Sequence, residues 1–220
     1  MTVKRLVFIR PGETDWNRDM RWQGWVAIPL NAHGRLQAER LANFVRHIGM
    51  SALYTSDLRR ALETAGILSE KLGFAPIADA RLRERNIGTW QGLKPEEMQS
   101  WYAEEYKRLM ADPDHYPVPG GESRQDVRLR IRAAFEDILA QDKGETIGVI
   151  SHTSAIKILL SDIVPGGVPA QVPVSNSSVT TIVRENDVWK VVALDDVLHL
   201  EGLESKTVPD FEEKPHDLGH

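Results

Sequence analysis

The sequence predicts an α/β domain whose central sheet is mostly parallel. Three observations predict it: short apolar runs alternate with segments of helical period, turn and cap residues punctuate them, and no internal repeat or low-complexity tract breaks the order. With 220 residues, 41% of them hydrophobic, the chain can bury a sizeable core. Its length fits a single domain over residues 1–200 followed by an acidic segment over 201–220.

Each element follows from its pattern. Val3 to Ile9 reads as a buried strand. About Gly34 to Ile48 reads as a helix with Leu36, Leu41, Phe44, Val45 and Ile48 on one side. Ala52-Leu53-Tyr54 is a short strand, and Ser56-Asp57 is placed to cap a helix carrying Leu58, Ala61, Leu62, Ala65, Leu68 and Leu72. About Ser123 to Leu139 forms a further helix through Val127, Ile131, Phe135 and Ile138. Thr146 to Ile150 is a strand, and Thr153 to about Ile163 a helix. Val179 to Val183 and Val188 to Ala193, joined through Glu185-Asn186-Asp187, read as a hairpin at the sheet edge. Between about Gly88 and Gly121 the alternation lapses into polar, aromatic and proline-containing sequence, expected to be an inserted lobe over the carboxyl end of the sheet. Trp90, Trp101, Tyr102 and Tyr106 there suit either a substrate lid or lobe packing. The last twenty residues hold six acidic and two basic side chains with two prolines, the composition of a loosely docked tail.

Composition also excludes function classes. No apolar run approaches membrane-spanning length, and Lys4-Arg5 lead into a strand without a small-residue cleavage site, so a soluble, cytoplasmic protein with no membrane partner is expected. Cysteine is absent, which removes disulfides, thiolate nucleophiles and cysteine-ligated zinc. A net charge of −5 argues against a nucleic-acid partner but permits a local basic pocket. Neither a G-x-x-x-x-G-K-[ST] loop nor a strand-linked G-x-G-x-x-G is present. Of seven histidines only His216 and His220 are four apart, and Pro215 and Gly219 make a helix there improbable, so no metal and no cofactor are expected.

The chemistry is concentrated where open α/β sheets bind ligands, at the carboxyl ends of the predicted strands. Arg10-Pro11-Gly12-Glu13-Thr14, with Asn17 following, supplies a guanidinium fork, a glycine for close backbone approach, a hydroxyl and an amide, all suited to phosphate oxygens. Pro-Gly is equally a favoured turn dipeptide, and the segment alone could be a strand-ending turn. In Ser56-Asp57-Leu58-Arg59-Arg60-Ala61, two arginines open a helix, whose N-terminus favours anions, unless both are solvated surface charges. Arg81-Leu82-Arg83-Glu84-Arg85 places a carboxyl group among arginines, either as a proton donor or acceptor or as part of a surface ion-pair network. Val149-Ile150-Ser151-His152-Thr153-Ser154 ends an apolar strand in a histidine before a helix, where imidazole and backbone N–H groups can share a phosphate.

In this order, the segments resemble the histidine phosphatase superfamily, in the branch that includes cofactor-dependent phosphoglycerate mutase and small-molecule phosphatases. The resemblance runs from about Val3 to Val183 and extends to Arg21-Trp22-Gln23-Gly24 with Pro29-Leu30 and Gly34, and to Pro119-Gly120-Gly121-Glu122-Ser123. It implies a phosphoglycerate mutase-like, three-layer α/β/α fold with a mostly parallel central sheet and a lobe over residues 88–121. It further implies a phosphate pocket of Arg10, Arg60 and His152, with Asn17 and the N–H of Thr153 as further donors and Glu84 as the acid/base carboxylate. In the family the first motif begins Arg-His-Gly, and its histidine attacks phosphorus; here Pro11 takes that place and has no side chain that can attack. Ala27 stands where the family often has Asp, and Thr153-Ser154 where it often has Gly-Gly.

Loss of a nucleophile costs on the order of 10⁶ in rate, so phosphohistidine turnover should be lost or much reduced while the pocket persists. The first reading is therefore a pseudoenzyme that binds a phosphorylated small molecule, inorganic phosphate or a phosphopeptide. An alternative is an active phosphomonoester phosphatase using His152 as nucleophile or water activated by Glu84. A second alternative is a scaffold with no phosphate site. A homodimer is compatible with each.

Overall fold

Two adjoining strands carry the register of the whole sheet. In the computed structural model, which describes residues 2–141, 143–169 and 171–203, β1 (Arg5–Ile9) pairs in parallel with β4 (Thr146–Ile150), setting Ile9 against Ile150. With β2 (Ala52–Thr55), β3 (Ile77–Ala78), β5 (Val179–Glu185) and β6 (Val188–Asp196) they form one sheet of order β3-β2-β4-β1-β5-β6. The first four strands in that order are parallel, and β5 and β6 add antiparallel pairings at one side. Parallel strands covered on both faces need near-continuous apolar sequence, which β1 and β4 supply.

The helices are α1 (Asp15–Arg18), α2 (Ala32–Val45), α3 (Arg59–Leu72), α4 (Pro95–Trp101), α5 (Ala103–Ala111), α6 (Arg124–Ala140) and α7 (Thr153–Ile163). Successive strand residues point to opposite faces. Val7, Ile9, Leu53 and Ile150 therefore meet Leu41 and Val45 of α2 and Ala61, Ala65 and Leu68 of α3. Leu6, Phe8, Tyr54, Ile147 and Val149 meet Val127, Ile131 and Phe135 of α6 and Ile156 and Leu159 of α7. These two clusters make the three layers.

Several local expectations are corrected. α2 begins two residues earlier than expected because the Asn31 side chain caps it, accepting the Gly34 N–H at 2.7 Å, and it ends at Val45. Leu36 is 48% exposed, since it lies two residues before Ala38 and hence about 200° around the helix. Leu62 is likewise exposed, and the apolar stripe that α3 buries is Ala61, Ala65 and Leu68, with Leu72 partly buried against it. Neither Ser56 nor Asp57 occupies the N-cap of α3. Leu58 does so without a side-chain bond, because Ser56 meets His152 and Asp57 holds Arg83. The hairpin is longer than expected, and Asn186 and Asp187 both take positive φ, as a two-residue primed turn requires.

Residues 88–121 contain α4 and α5 and a small core of their own, built from Trp90, Met98, Leu109 and Val118 with Ile87. Pro95 opens α4 at its first turn, where a missing N–H costs nothing. Trp90 stacks obliquely on Tyr102 and Tyr106 at 6.1 and 6.3 Å, so these rings serve packing, whereas Trp101 is exposed. Residues beyond 203, including most of the acidic segment with His216 and His220, lie outside the described residues. Among the described residues no helix is long and apolar enough to cross a membrane.

Two glycines bring the loop after β1 against the start of α2. A Cβ on Gly12 would lie 2.4 Å from the Gly34 oxygen, and one on Gly34 would lie 2.1 Å from the Glu13 oxygen. Both neighbours are backbone and cannot step aside. Gly34→Ala is therefore expected to destabilise the fold by about 1–3 kcal/mol, read as a lower urea midpoint at unchanged m-value.

Candidate phosphate-binding site

The loop leaving β1 is held by neighbours on every side. The Arg10 N–H donates to Ser178 O at 3.2 Å, and Arg10 Nη1 donates to Val174 O. Pro11 brings no N–H of its own, but its carbonyl accepts from Ser177 N at 3.1 Å and from Asn176 Nδ2 at 3.2 Å. Gly12 N donates to Thr64 Oγ1 of α3 at 3.2 Å. Asn17 closes a capping box on α1, its Oδ1 accepting from Thr14 N at 3.0 Å and Thr14 Oγ1 at 2.9 Å. That rotamer engages the amide oxygen and leaves the amide nitrogen as the end that can donate to an anion.

Adjacent arginines at the start of α3 have opposite fates. Arg59 is exposed and pairs with Glu63 at 2.9 Å, the surface role. Arg60 is buried, and its guanidinium donates to Gly24 O at 2.9 Å and Val26 O at 3.2 Å. Main-chain carbonyls orient a guanidinium without neutralising it. Burial pushes the Arg60 pKa down to about 10, with Glu84 opposing and Arg10 adding to the shift, so the group remains cationic at neutral pH.

Glu84 does not follow directly from a strand, as its segment had led one to expect. Between it and the two-residue β3 stands a 3₁₀ turn, Ala80–Leu82. Its Oε1 accepts the Arg85 N–H at 2.7 Å, and its Oε2 accepts the Ser154 N–H of α7 at 3.3 Å. The ion-pair reading holds for Arg81, which binds Asp79 and Asp137, and for Arg83, which binds Asp57 through two bonds of 2.6 Å while lying over Trp25, whereas Arg85 is buried and donates to Glu122 O at 2.8 Å. Beneath Glu84 lies Arg130, which donates to the Glu84 carbonyl at 2.9 Å and pairs with Glu122 at 2.7 Å. Sequence reasoning missed this pair. Arg130 stands three residues after Val127 and four before Ala134, a charge on the buried face of α6, and that placement was the available signal.

His152 occupies the N-cap position of α7 and is buried. Its Nε2 lies 2.9 Å from Ser56 Oγ, a contact that gives Ser56 a role sequence reasoning had not assigned. Burial first, then the charges of Arg60, Arg10 and Arg130, hold the imidazole pKa well below its ordinary value of 6.5. A depressed folded-state pKa means that the unfolded chain binds the proton first as pH falls. Stability present above pH 6.5 is therefore lost below it, and burial of His199 acts in the same direction. In an NMR titration the His152 ring is expected to stay neutral through pH 6.

Arg10, Pro11, Asn17, Arg60, Glu84, His152 and Thr153 all line one cleft of about 840 Å³. Met20, Arg128, Lys157 and Asn176 line it as well and had not been singled out, and Gln23 of the Arg21-Trp22-Gln23-Gly24 segment joins them. Among the described residues no group of three or more histidine or carboxylate side chains is arranged to hold a metal.

Parallel strands that deliver arginines and a helix N-terminus into one cleft define an α/β protein equipped for an anionic ligand. The chain belongs to the histidine phosphatase superfamily (branch 1), whose family model matches residues 6–197. Phosphoglycerate mutase-like protein 4 of Arabidopsis thaliana is 35% identical over 200 residues, covering 89% of this chain and 86% of that protein. A mycobacterial glucosyl-3-phosphoglycerate phosphatase solved with VO3 superposes with a TM-score of 0.78 at 30% identity, over 88% of this chain and 99% of that one. The same mycobacterial phosphatase has also been solved with inorganic phosphate. A histidine-to-alanine mutant of phosphoserine phosphatase from Entamoeba histolytica, in complex with phosphoserine, gives a TM-score of 0.78 at 26% identity over 89% of this chain and 98% of that one.

Proposed function

We propose that this protein binds a phosphomonoester through Arg10, Arg60 and His152, assisted by Asn17 and the N-terminus of α7, and that it does not turn its ligand over through a phosphohistidine. One observation carries the reading. Pro11 lies in the wall of the cleft between Arg10 and the glycine loop, at the place where the family resemblance calls for an attacking imidazole. Two buried or half-buried guanidiniums and a helix N-terminus attract a phosphate dianion, and none of them can form a bond to phosphorus. Support comes from the mycobacterial phosphatase with its bound vanadate and phosphate, and from the E. histolytica mutant, which is in complex with phosphoserine although a histidine has been replaced.

A second reading has one observation in its favour. A neutral His152 keeps a lone pair, so the imidazole itself, or water activated by Glu84, is an alternative route to hydrolysis. Thermal unfolding with inorganic phosphate and with vanadate, paired with turnover of a phosphomonoester and phosphopeptide panel, separates the readings. Binding without turnover is the expected result, with about 2.7 kcal/mol of stabilisation at ligand a hundredfold above Kd. Turnover accompanied by a phosphorylated His152 would establish the second reading. Absence of any phosphate effect would leave only a scaffold.

A further inference from the structure

One short segment between α7 and β5, residues 174–178, touches Arg10, Pro11 and Asn17 together. Val174 O accepts from Arg10 Nη1, and Ser178 O accepts the Arg10 N–H at 3.2 Å. Ser177 N and Asn176 Nδ2 donate to the Pro11 carbonyl at 3.1 and 3.2 Å. Asn176 Nδ2 also donates to Asn17 Oδ1 at 3.3 Å, joining Thr14 in fixing which end of that amide is left for the cleft.

The segment does not take this conformation unaided. Ser177 has a φ of 57°, in the left-handed region that a β-carbon disfavours, and it is fully buried, so its surroundings enforce the geometry. At one end Val174 belongs to the core on the α6 and α7 side of the sheet. On the other side Asp195 of β6 takes both polar groups of Ser175, Oδ1 accepting its N–H at 2.5 Å and Oδ2 its hydroxyl at 2.9 Å.

β6 is irregular in a way that delivers this carboxylate. From Val179 to Ile182 β5 advances three residues while β6 runs five, from Asp196 to Val191. Extra residues of this kind are bulges, which bend a strand and re-aim its side chains. Asp195 sits in one of them, opposite Thr180, with a φ of 48° and its N–H on Thr180 Oγ1 at 3.2 Å. Strands disfavour aspartate, and the sheet core draws on Trp189 and Val191 of β6 instead.

We propose that Asp195 is a positioning residue for the phosphate site: by binding Ser175 it fixes residues 174–178, and through them the Arg10 guanidinium, the Pro11 carbonyl and the Asn17 amide. This rests on the phosphate-binding reading and extends it to a side chain outside the lining of the cleft. The sign of the effect separates positioning from charge. On charge alone, loss of a carboxylate favours anion binding; loss of a positioning group weakens it.

Calorimetry with inorganic phosphate, run well below each variant's unfolding midpoint, tests the role alongside the Nε–H resonances of Arg10 and Arg60. Asp195→Ala is expected to weaken phosphate about tenfold. Asp195→Asn can accept the Ser175 N–H, donate to the Ser175 hydroxyl and tolerate positive φ, so it should stay within about twofold of the parent. Asp196→Ala removes the same charge one residue on, from a carboxylate that accepts the Leu198 N–H at 3.0 Å, and should also stay within about twofold. In Asp195→Ala the Arg10 resonance should move while that of Arg60, held by Gly24 O and Val26 O, stays in place. If Asp195→Ala does not fold, Ser175→Ala takes its place: it removes the hydroxyl contact alone and is expected to weaken phosphate about threefold, with the same movement at Arg10. Phosphate affinity equal to or above the parent's in that variant, an equal loss in Asp195→Asn or Asp196→Ala, or an unmoved Arg10 resonance would overturn the positioning role and leave the phosphate site standing. If the parent binds no inorganic phosphate, the phosphate-binding reading falls. The Arg10 resonance then decides the positioning alone, upholding it by moving and overturning it by staying.

Discussion

If the chain binds phosphate without phosphohistidine turnover, as proposed, Pro11→His is expected to raise kcat/KM on 4-nitrophenyl phosphate by at least about 10³. Removal of the nucleophile from an enzyme that relies on one costs on the order of 10⁶, so the gain can be larger still where the restored imidazole is well aligned. The local backbone is suited to the exchange. Arg10 already lies at the end of an extended strand, and the Pro11 carbonyl keeps its bonds from Ser177 and Asn176 whichever side chain is attached. Histidine can adopt the φ that proline imposes, at some entropic cost in the unfolded state. Arg60, Glu84 and His152, to which the family resemblance assigns the electrostatic part of the machinery, line the same cleft as Pro11. Rapid quench with labelled substrate should show an alkali-stable, acid-labile phosphoprotein in the variant alone. Parent turnover within about tenfold of the variant, equivalent to about 1.4 kcal/mol of barrier, would remove the case for a missing nucleophile.

What was legible in the sequence follows from the range of the interactions concerned. β1 and β4 were legible because a strand covered on both faces needs an unbroken apolar run. α6 was legible because Val127, Ile131, Phe135 and Ile138 hold helical spacing. α4 and α5 were not, because helices of seven and nine residues give too short a period, and their apolar side chains serve a small core separate from the two on the sheet. Leu36 and Leu62 misled because hydrophobicity alone does not identify which stripe meets the sheet.

The cleft was legible only in part for a related reason. Arg10, Arg60, Glu84 and His152 occupy recognisable segments, but the choice between Arg59 and Arg60 as the inward arginine is made by the phase of α3, in which Arg60 shares a face with Thr64 and Ala61 with Ala65 and Leu68. Ser56 read as a cap because the dipeptide is chemically suited to one. It became a partner of His152 because β2 and β4 are neighbours in the sheet, a pairing between residues 96 apart. Arg130 with Glu122 and Lys157 with Arg128 are likewise products of helix phase and interhelical packing, which no local motif encodes.

Arg60→Met is the second change with a large expected effect, because in the proposed function this guanidinium serves the ligand and the fold together. The charged contact to phosphate that this reading assigns to Arg60 would be lost, and phosphate affinity is expected to fall by at least about a hundredfold, or about 2.7 kcal/mol. Two carbonyls, Gly24 O and Val26 O, lose their donor, at about 1–3 kcal/mol each if they remain buried. Those carbonyls belong to the loop whose Trp25 donates its indole N–H to Glu84 O at 2.6 Å and its backbone N–H to Gln91 Oε1 at 2.7 Å, so the loss loosens the support of Glu84 as well. Removal of a cation beside His152 also lets that imidazole protonate more readily, since Arg60 is the largest charge depressing it. Its pKa should therefore move upward in Arg60→Met. Arg60→Lys separates the two functions: it keeps a charge near the phosphate and much of the depression at His152, but a single ammonium cannot span both carbonyls and the ligand with the geometry of a fork. The expected order of phosphate affinity is parent, then Arg60→Lys, then Arg60→Met, with the His152 shift following the charge and not the stability. Equal phosphate affinity in Arg60→Met and the parent would mean that Arg60 is only a tie for the loop, and that the anion sits elsewhere in the cleft.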